Sequence, residues 1–476
     1  MINRYEIVDF AREFGLSPNI VEKDYVIGWL LAGIGNHAEL SPFWVFKGGT
    51  CLKKCYFETY RFSEDLDFTL KDPGQLNEEF LLHTFRQISD WVYEASGIEI
   101  PQETIRFDIY SNPRGNPSAQ GRVGYRGPMG RGGDAPRVKL DLTGDEILVM
   151  DAVFRDVHHP YSDRPGNGIQ ILCYCFEELF AEKIRALAER ERPRDLYDVV
   201  HFYRHEELKA DRGAIFDALE KKCAFKGIPL PTLATLETQS GRKELESEWG
   251  NMLSHQLPAL PPFEQFWQDL PDVLGWLYSR LEKVAKPAIP VASVTVDEAW
   301  HPPSMASAWH TSVPLEGIRF AAANRLCVEL AYQGSSRLIE PYSLRRTNDG
   351  NLLLFAVKHK TGEDRSYRVD RIQGARISDV PFSPRYLIEL TPLGPIETPP
   401  VARRSTKARA NVIRRPRSAS ARLVRTNSRY GPMYVFQCSI CGKKFTHASY
   451  RATLNTHKNK QGYPCFGRTG IYVRTK

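Results

Sequence analysis

Asp65 and Asp67, in "RFSEDLDFTL", stand shortly after the turn Gly48-Gly49-Thr50. On a strand, positions i and i+2 point to one face, so these two carboxylates would be neighbours. Two hard oxygen donors of this kind suit Mg²⁺, which keeps water and phosphate oxygens as its other ligands. A glycine pair lets backbone N–H groups approach a phosphate, because no side chain intervenes. Asp141, in "VKLDLT", sits on an alternating stretch and can complete the metal set. Divalent ions held there would polarise an attacking hydroxyl and steady a leaving pyrophosphate. Each signal is weak alone, since Asp-x-Asp pairs are commonly solvated. Their order and spacing carry the information.

Further candidates flank this core. Lys53, Arg61 and Ser63 lie between the glycines and the carboxylates and can reach phosphate. Lys183 stands beside the apolar stripe Phe176, Leu179, Phe180, Ile184 and Leu187 of a helix, so its ammonium can face a cleft. A surface pairing with Glu182 or Glu189 is the plain alternative. Asp195 and Asp198 share a face of the helix "PRDLYDVVHFY", and either can be the functional one. Arg194 and Asp198, four residues apart, can equally form an ordinary helix pair. Arg122 and Arg126, in a stretch of glycine and arginine over 110–136 read as a loop, are candidates for gripping RNA.

A second chemistry stands near the C-terminus. Cys438-x₂-Cys441 is followed after 15 residues by His457 and after seven more by Cys465. Three thiolates and an imidazole at this spacing suit tetrahedral structural zinc, with His447 the rival to His457. Four ligands close the shell, and so small a region would take its folding energy from the metal. Lys443, Lys444, Arg451, Lys458 and Lys460 surround it and suit phosphate contact.

The elements that must position these residues fall into blocks along the 476-residue chain. Residues 1–285 mix strands ("FWVFKGG", "DLDFTL", "RVKLDLTG") with helices, and 205–283 read as mostly helical. Residues 286–314 form a proline-rich linker. Residues 315–390 are strand-rich, with "NLLLFAVKH", "SYRVDRI" and "RYLIEL" read as strands. Residues 391–430 are a basic linker expected to be disordered, and 431–476 hold the cysteine–histidine set. The fold class is therefore multidomain α+β.

The net charge of +7 hides an asymmetry: from Thr398 onward there are 18 Lys and Arg and no acidic residue. The remaining 46 basic residues face 57 acidic ones, so an acidic body carries a basic tail suited to a polyanion. The opening "MINRYEIVDFAREFG" reads as neither signal peptide nor anchor, and no apolar run suits a membrane. Nine scattered cysteines fit reduced thiols in a cytoplasm.

Over most of 1–285 the chain resembles the AbiEii-type nucleotidyltransferases, toxin-like members of the DNA polymerase β superfamily. The resemblance rests on "VEKDYVI", "FKGGTCLKK…RFSEDLDF", "GYRGPM", "VKLDLT", "FEELFAEKIRAL…R…RDLYDV" and "FWQDLPDVLGWL", in that order. It implies a polymerase-β-type mixed sheet with a helical second half. Gly49 and Thr50 would hold phosphate, Asp65 and Asp67 the metal, and Lys183 and Asp198 the remaining functional positions. Residues 324–386 resemble a WYL domain, a small SH3/Sm-like β-barrel. Matching residues are Tyr332, Gly334, Arg337, Glu340, Pro341 and Tyr342, then Arg365, Tyr367, Arg368, Asp370, Arg371 and Ile372. "LLLF" (352–355) replaces the tripeptide that names that family, so the resemblance implies the fold and leaves its ligand open. Arg337 and Arg368 can hold phosphate or pair with Glu340 and Asp370.

Together these imply an Mg²⁺-dependent transferase moving NMP from an NTP to RNA, a tRNA 3′ end by family pattern, in a toxin or phage-defence role. An antitoxin or defence partner would accompany it. The alternatives are a nucleic-acid-binding regulator with an inactive transferase block, or nucleotidylation of a protein hydroxyl.

Overall fold

The computed structural model describes residues 1–279 except 59, 113, 131–132, 206–209 and 237–238. It further describes 283, 286–290, 295–297, 300 and 315–390, then 434–438, 441–447, 453–455, 457–458, 464–465 and 470–475. The 286–314 linker therefore falls largely, and the 391–430 linker wholly, outside the described residues.

Capped helices open the chain. The Asn3 side chain accepts N–H groups of Tyr5 and Glu6 at the start of α1 (Arg4–Phe14), and Gly15 at φ 65° ends it. Ser17 caps α2 (Pro18–Asn36), which is buried on most faces from Val21 to Ile34 and so serves as a core helix. The apolar strand β1 (Trp44–Lys47) then runs into the short helix α3 (Gly48–Cys51) and a π-helical turn, Leu52–Tyr56. Strand β2 (Asp65–Leu70) and helix α4 (Glu78–Ser96) follow.

Strands β3 (Arg106–Ser111), β4 (Pro117–Gly124), β5 (Arg137–Thr143), β6 (Val153–Asp156) and β7 (Gln170–Cys173) complete one seven-stranded mixed sheet. Its order is β3-β4-β5-β2-β1-β7-β6, with β2 parallel to β5 and antiparallel to β1. The stretch 110–136 is thus not one loop, since β4 runs through it. The glycines on β4 are packing devices: a Cβ on Gly121 would meet Phe107 at 2.5 Å, and one on Gly124 would meet Thr104 at 2.7 Å.

Six helices follow: α5 (Phe176–Arg190), α6 (Pro193–Arg204), α7 (Arg212–Lys226), α8 (Leu233–Leu236), α9 (Gln239–Leu253) and α10 (Phe263–Ser279). Proline occupies the first turn of α6, where its missing N–H costs nothing.

Helix α11 (Leu315–Ala323) leads into β8 (Leu326–Tyr332), β9 (Ser335–Arg346), β10 (Leu352–Lys358), β11 (Asp364–Arg368) and β12 (Ile372–Pro381). These form an antiparallel sheet ordered β11-β10-β9-β8-β12. "RYLIEL", read as a strand, is irregular here. Among the described residues it makes only single backbone bonds, Leu387 N–H to Pro287 and Glu389 N–H to Tyr342.

The chain divides into two units, residues 1–403 and 404–476. Within the first, α11 is fastened to the transferase-like part by polar contacts. Arg319, 1% exposed, reaches Glu58 at 3.3 Å and Glu316 at 3.1 Å. The Tyr197 hydroxyl donates to Asn324 Oδ1 at 2.9 Å. In the second unit, β13 (Tyr434–Cys438), β14 (Lys444–His447) and β17 (Gly470–Thr475) pair antiparallel, and β15 (His457–Lys458) pairs with β16 (Pro464–Cys465). Among the described residues no helix is long and apolar enough to cross a membrane.

Removing one member of a buried ion pair leaves an uncompensated charge. Arg319→Met should therefore lower the unfolding free energy of the first unit by about 3–5 kcal/mol in urea titrations. A loss under about 1 kcal/mol would show that α11 is not held by this guanidinium.

Candidate active site

The register of β2 with its neighbours assembles the carboxylates. Asp67 stands opposite Asp141 on β5 and opposite Lys47 on β1, and Asp65 precedes it on the same face. All four line a cleft of about 540 Å³ together with Gly48, Gly49, Arg61, Ser63 and Lys183.

Gly48 has φ +80°, and a Cβ there would lie 2.1 Å from Asp67 Oδ2. Only glycine lets this backbone press on the carboxylate. A Cβ on Gly49 would meet Arg61 Nη2 at 2.7 Å and Ser63 Oγ at 3.0 Å. The glycine pair therefore lies directly against Asp67, Arg61 and Ser63. Thr50 is placed behind the cleft: it is buried, and its hydroxyl donates to the Asp65 carbonyl, tying α3 to β2.

On the opposite wall, α5 and α6 bring Lys183 to two aspartates at once. Its Nζ lies 3.3 Å from Asp195 and 2.7 Å from Asp198. Asp195 lines the cleft and takes a second cation, Arg190, at 2.7 Å. Asp198 lies behind it, fully buried, where Arg61 grips both carboxylate oxygens at 2.7 Å each and Tyr60 also donates. Arg61 donates onward to Gln256 at 2.9 Å. Burial alone would raise the Asp198 carboxyl, but Arg61 and Lys183 reverse this and hold it well below the carboxylate range. Both aspartates are thus engaged: one facing the cleft, one anchoring its wall. Neither Glu182 nor Glu189 pairs with Lys183; both pair with Arg185.

Lys53 is placed elsewhere. It is buried outside the cleft lining, and its ammonium donates to the Glu58 carbonyl. The π-helical turn after α3 breaks the ordinary helical period and carries Lys53 and Lys54 inward. Arg122 and Arg126 pair with Asp108 and Glu99 on the sheet's far end. Lys47, Glu146, Arg190 and Arg194 line the cleft without having been singled out as site residues. Lys47 directly precedes the glycines, and Arg194 adjoins Asp195, so adjacency was the available signal. Gln256 had none, because it arrives from a distant helix end.

Near the C-terminus, ligand atoms of Cys438, Cys441, His457 and Cys465 all lie within 4.8 Å of one another. The β15–β16 pairing sets His457 opposite Cys465, and Gly442 at φ +69° turns the chain between strands. His457 Nδ1 lies 2.9 Å from the Asn455 carbonyl; donating there, the ring directs Nε2 at Cys441, 3.3 Å away. His447 is on β14 against Phe436 and outside the set. Of the basic residues around it, Arg451 and Lys460 lie outside the described residues.

In the five-stranded sheet, Arg368 pairs with Asp370 at 2.8 Å. Arg337 instead lies over the Tyr332 and Tyr367 rings, while Glu340 pairs with His359.

Burial lifts the Asp67 carboxyl, Lys47 opposes, and Asp141 and Asp65 add, leaving it at about 6. A carboxyl raised in the folded state binds more protons than the unfolded chain between its unfolded value near 4 and about 6, so stability falls as pH rises through that window. Metal-free Asp67→Asn should therefore be more stable than the parent at pH 7.5, by about 1–2 kcal/mol, and equal to it near pH 4. Equal urea midpoints at both pH values would contradict this.

Residues 29–270 match the family model "Nucleotidyl transferase AbiEii toxin, Type IV TA system", and residues 315–377 match the WYL domain. Among solved structures, the nucleotidyltransferase toxin MenT4 of Mycobacterium tuberculosis H37Rv is 16% identical, covering 59% of this chain and 91% of its own, with TM-score 0.41. JHP933 of Helicobacter pylori is 16% identical, covering 56% of this chain and 94% of its own, with TM-score 0.36. A search of curated proteins finds no match. With more than half of its length matched, the whole carboxylate–lysine cleft included, the chain belongs to the AbiEii nucleotidyltransferase family and is a nucleotidyltransferase carrying a WYL domain.

Proposed function

We propose that the chain transfers NMP from an NTP to an RNA hydroxyl, at a tRNA 3′ end, with Mg²⁺ held by Asp65, Asp67 and Asp141. One observation carries this reading: three carboxylates share one sheet face, across a cleft from a lysine that two aspartates fix. The donor set fits a divalent cation. All three groups are hard oxygens, and burial, with repulsion from Asp141 and Asp65 adding to it, raises the Asp67 carboxyl's demand for positive charge. Bound there, Mg²⁺ would supply Lewis-acid stabilisation of phosphate charge and activate the attacking hydroxyl.

The chain's own residues do the positioning. Backbone N–H groups at Gly48 and Gly49 can approach the polyphosphate because no side chain fills the turn. Lys183, held by Asp195 and Asp198, presents a fixed positive charge to the phosphoryl oxygens as charge shifts onto them. Arg61, locked on Asp198, and Ser63 border the glycine turn and keep it against Asp67. Preorganised charges of this kind lose no reorganisation energy at the moment of reaction.

Around this core we place the remaining roles. Cys438, Cys441, His457 and Cys465 hold a structural zinc ion, and the basic C-terminal region contacts nucleic acid. The enzyme is cytoplasmic and acts as a toxin or phage-defence effector with a cognate antitoxin or defence partner.

Incubating the full chain with each α-³²P-labelled NTP, Mg²⁺ and total RNA should label small RNA. Asp65→Asn should reduce labelling at least about 10³-fold while leaving the fold intact. Label on protein alone would point to a protein hydroxyl acceptor, and no label with any NTP would favour an inactive, nucleic-acid-binding regulator. Elemental analysis should find about one zinc per chain, lost in Cys441→Ser; a metal-free parent would overturn the zinc assignment.

A further inference from the structure

The seam between α6 and the WYL-containing part encloses a second polar site, which shares no lining residue with the carboxylate cleft. Arg204, His205, Lys286, Ala323, Arg325 and Tyr386 line a small part-open cavity of about 30 Å³. Among the described residues, two of its cations share one anion. One oxygen, Asp269 Oδ2, accepts from both Arg204 Nε at 2.8 Å and Arg325 Nη1 at 2.7 Å, so a single carboxylate serves two guanidinium ions.

Arg204 is deeply placed, with its side chain 3% exposed and stacked on Phe266 at 4.2 Å. Its Nη2 donates to the Gln265 carbonyl at 3.0 Å, but Nη1 is buried with no hydrogen-bond partner among the described residues. A buried charged donor left unmade is costly, and such atoms call for a partner. Arg325 is held in place at a backbone cost: it is a non-glycine residue at φ +54°, in the left-handed region. Burial and the neighbouring Arg325 press the Arg204 guanidinium towards losing its proton, which a guanidinium does not do at working pH. A second anion removes that pressure.

We propose that this seam pocket binds a phosphate group, with Arg204 Nη1 and Arg325 as its principal donors. Guanidinium ions are the side chains best matched to phosphate oxygens, through paired charge-assisted hydrogen bonds. The cavity holds about two water-sized centres, which admits oxygens of one phosphate and leaves the rest of any larger ligand in the mouth. The donors come from both sides: Arg204 ends α6, whose first turns carry Asp195 and Asp198, and Arg325 joins α11 to β8. An occupant would therefore be gripped by both parts and connected through one helix to the cleft wall. The group can arrive as free phosphate or on a nucleotide.

Binding of inorganic phosphate and of AMP to the metal-free full chain, followed by calorimetry, separates the two sources. Phosphate should bind saturably to the parent, about tenfold more weakly to Arg325→Gln. Arg204→Lys keeps a cation on Asp269 but removes Nη1, and should weaken binding similarly. AMP binding at least tenfold tighter than phosphate would mark a nucleotide as the source, and equal affinities would mark the free ion; either supports the site if both variants weaken it. Binding unchanged in a folded Arg325→Gln chain overturns the proposal. Crystals of the unaltered chain soaked in tungstate need no variant: an anomalous peak within hydrogen-bond distance of Arg204 Nη1 supports the site, and its absence there overturns it.

Discussion

Four largely buried charges organise this enzyme. Arg61 and Lys183 are buried against Asp198, with Asp195 completing the set. Burying charges this deeply adds little net stability, because lost hydration offsets most of the attraction. Their worth is positional. The Asp198 carboxylate fixes Arg61 on the chain entering β2 and Lys183 on α5, so sheet and helices meet at one registered distance. Tyr60 and Gln256 complete the shell and leave Arg61 little freedom to rotate.

That knot accounts for the glycines and the acids facing it. Arg61 pressed on Gly49, and Asp67 pressed on Gly48, leave no room for a Cβ at either position. The same closeness brings Asp67, Asp65 and Asp141 within mutual repulsion, and a sheet that crowds three carboxylates stores a demand for positive charge. Lys47 meets part of it. The second fastening, of α11 onto Glu58, acts on the segment just before Tyr60 and Arg61, so the WYL-containing part is mechanically close to the knot.

Much of this was legible in the sequence because strands have a simple period. Asp-x-Asp on an alternating stretch states which face both carboxylates share, and "VKLDLT" does the same for Asp141. The facing of Asp67 and Asp141 was beyond reach, since register between strands is a long-range property. The helix "FEELFAEKIRALAER" showed where Lys183 sits relative to its apolar stripe but not that two aspartates share it. The residues alone left Asp195 and Asp198 level, the family resemblance pointed to Asp198, and the structure pairs both with Lys183. Lys53 was misleading because a π-helical turn intervenes. Strand β4 was hidden by glycines that serve close packing against Phe107 and Thr104, and "RYLIEL" alternates like a strand without finding a neighbour to ladder with.

The most direct measurement is a crystal structure of the full chain with Mn²⁺ and a non-hydrolysable NTP. The account predicts anomalous density between Asp65, Asp67 and Asp141, the triphosphate over Gly48 and Gly49, and Lys183 Nζ on a phosphate oxygen. Manganese bound away from these three carboxylates, or a triphosphate that leaves Lys183 untouched, would contradict it.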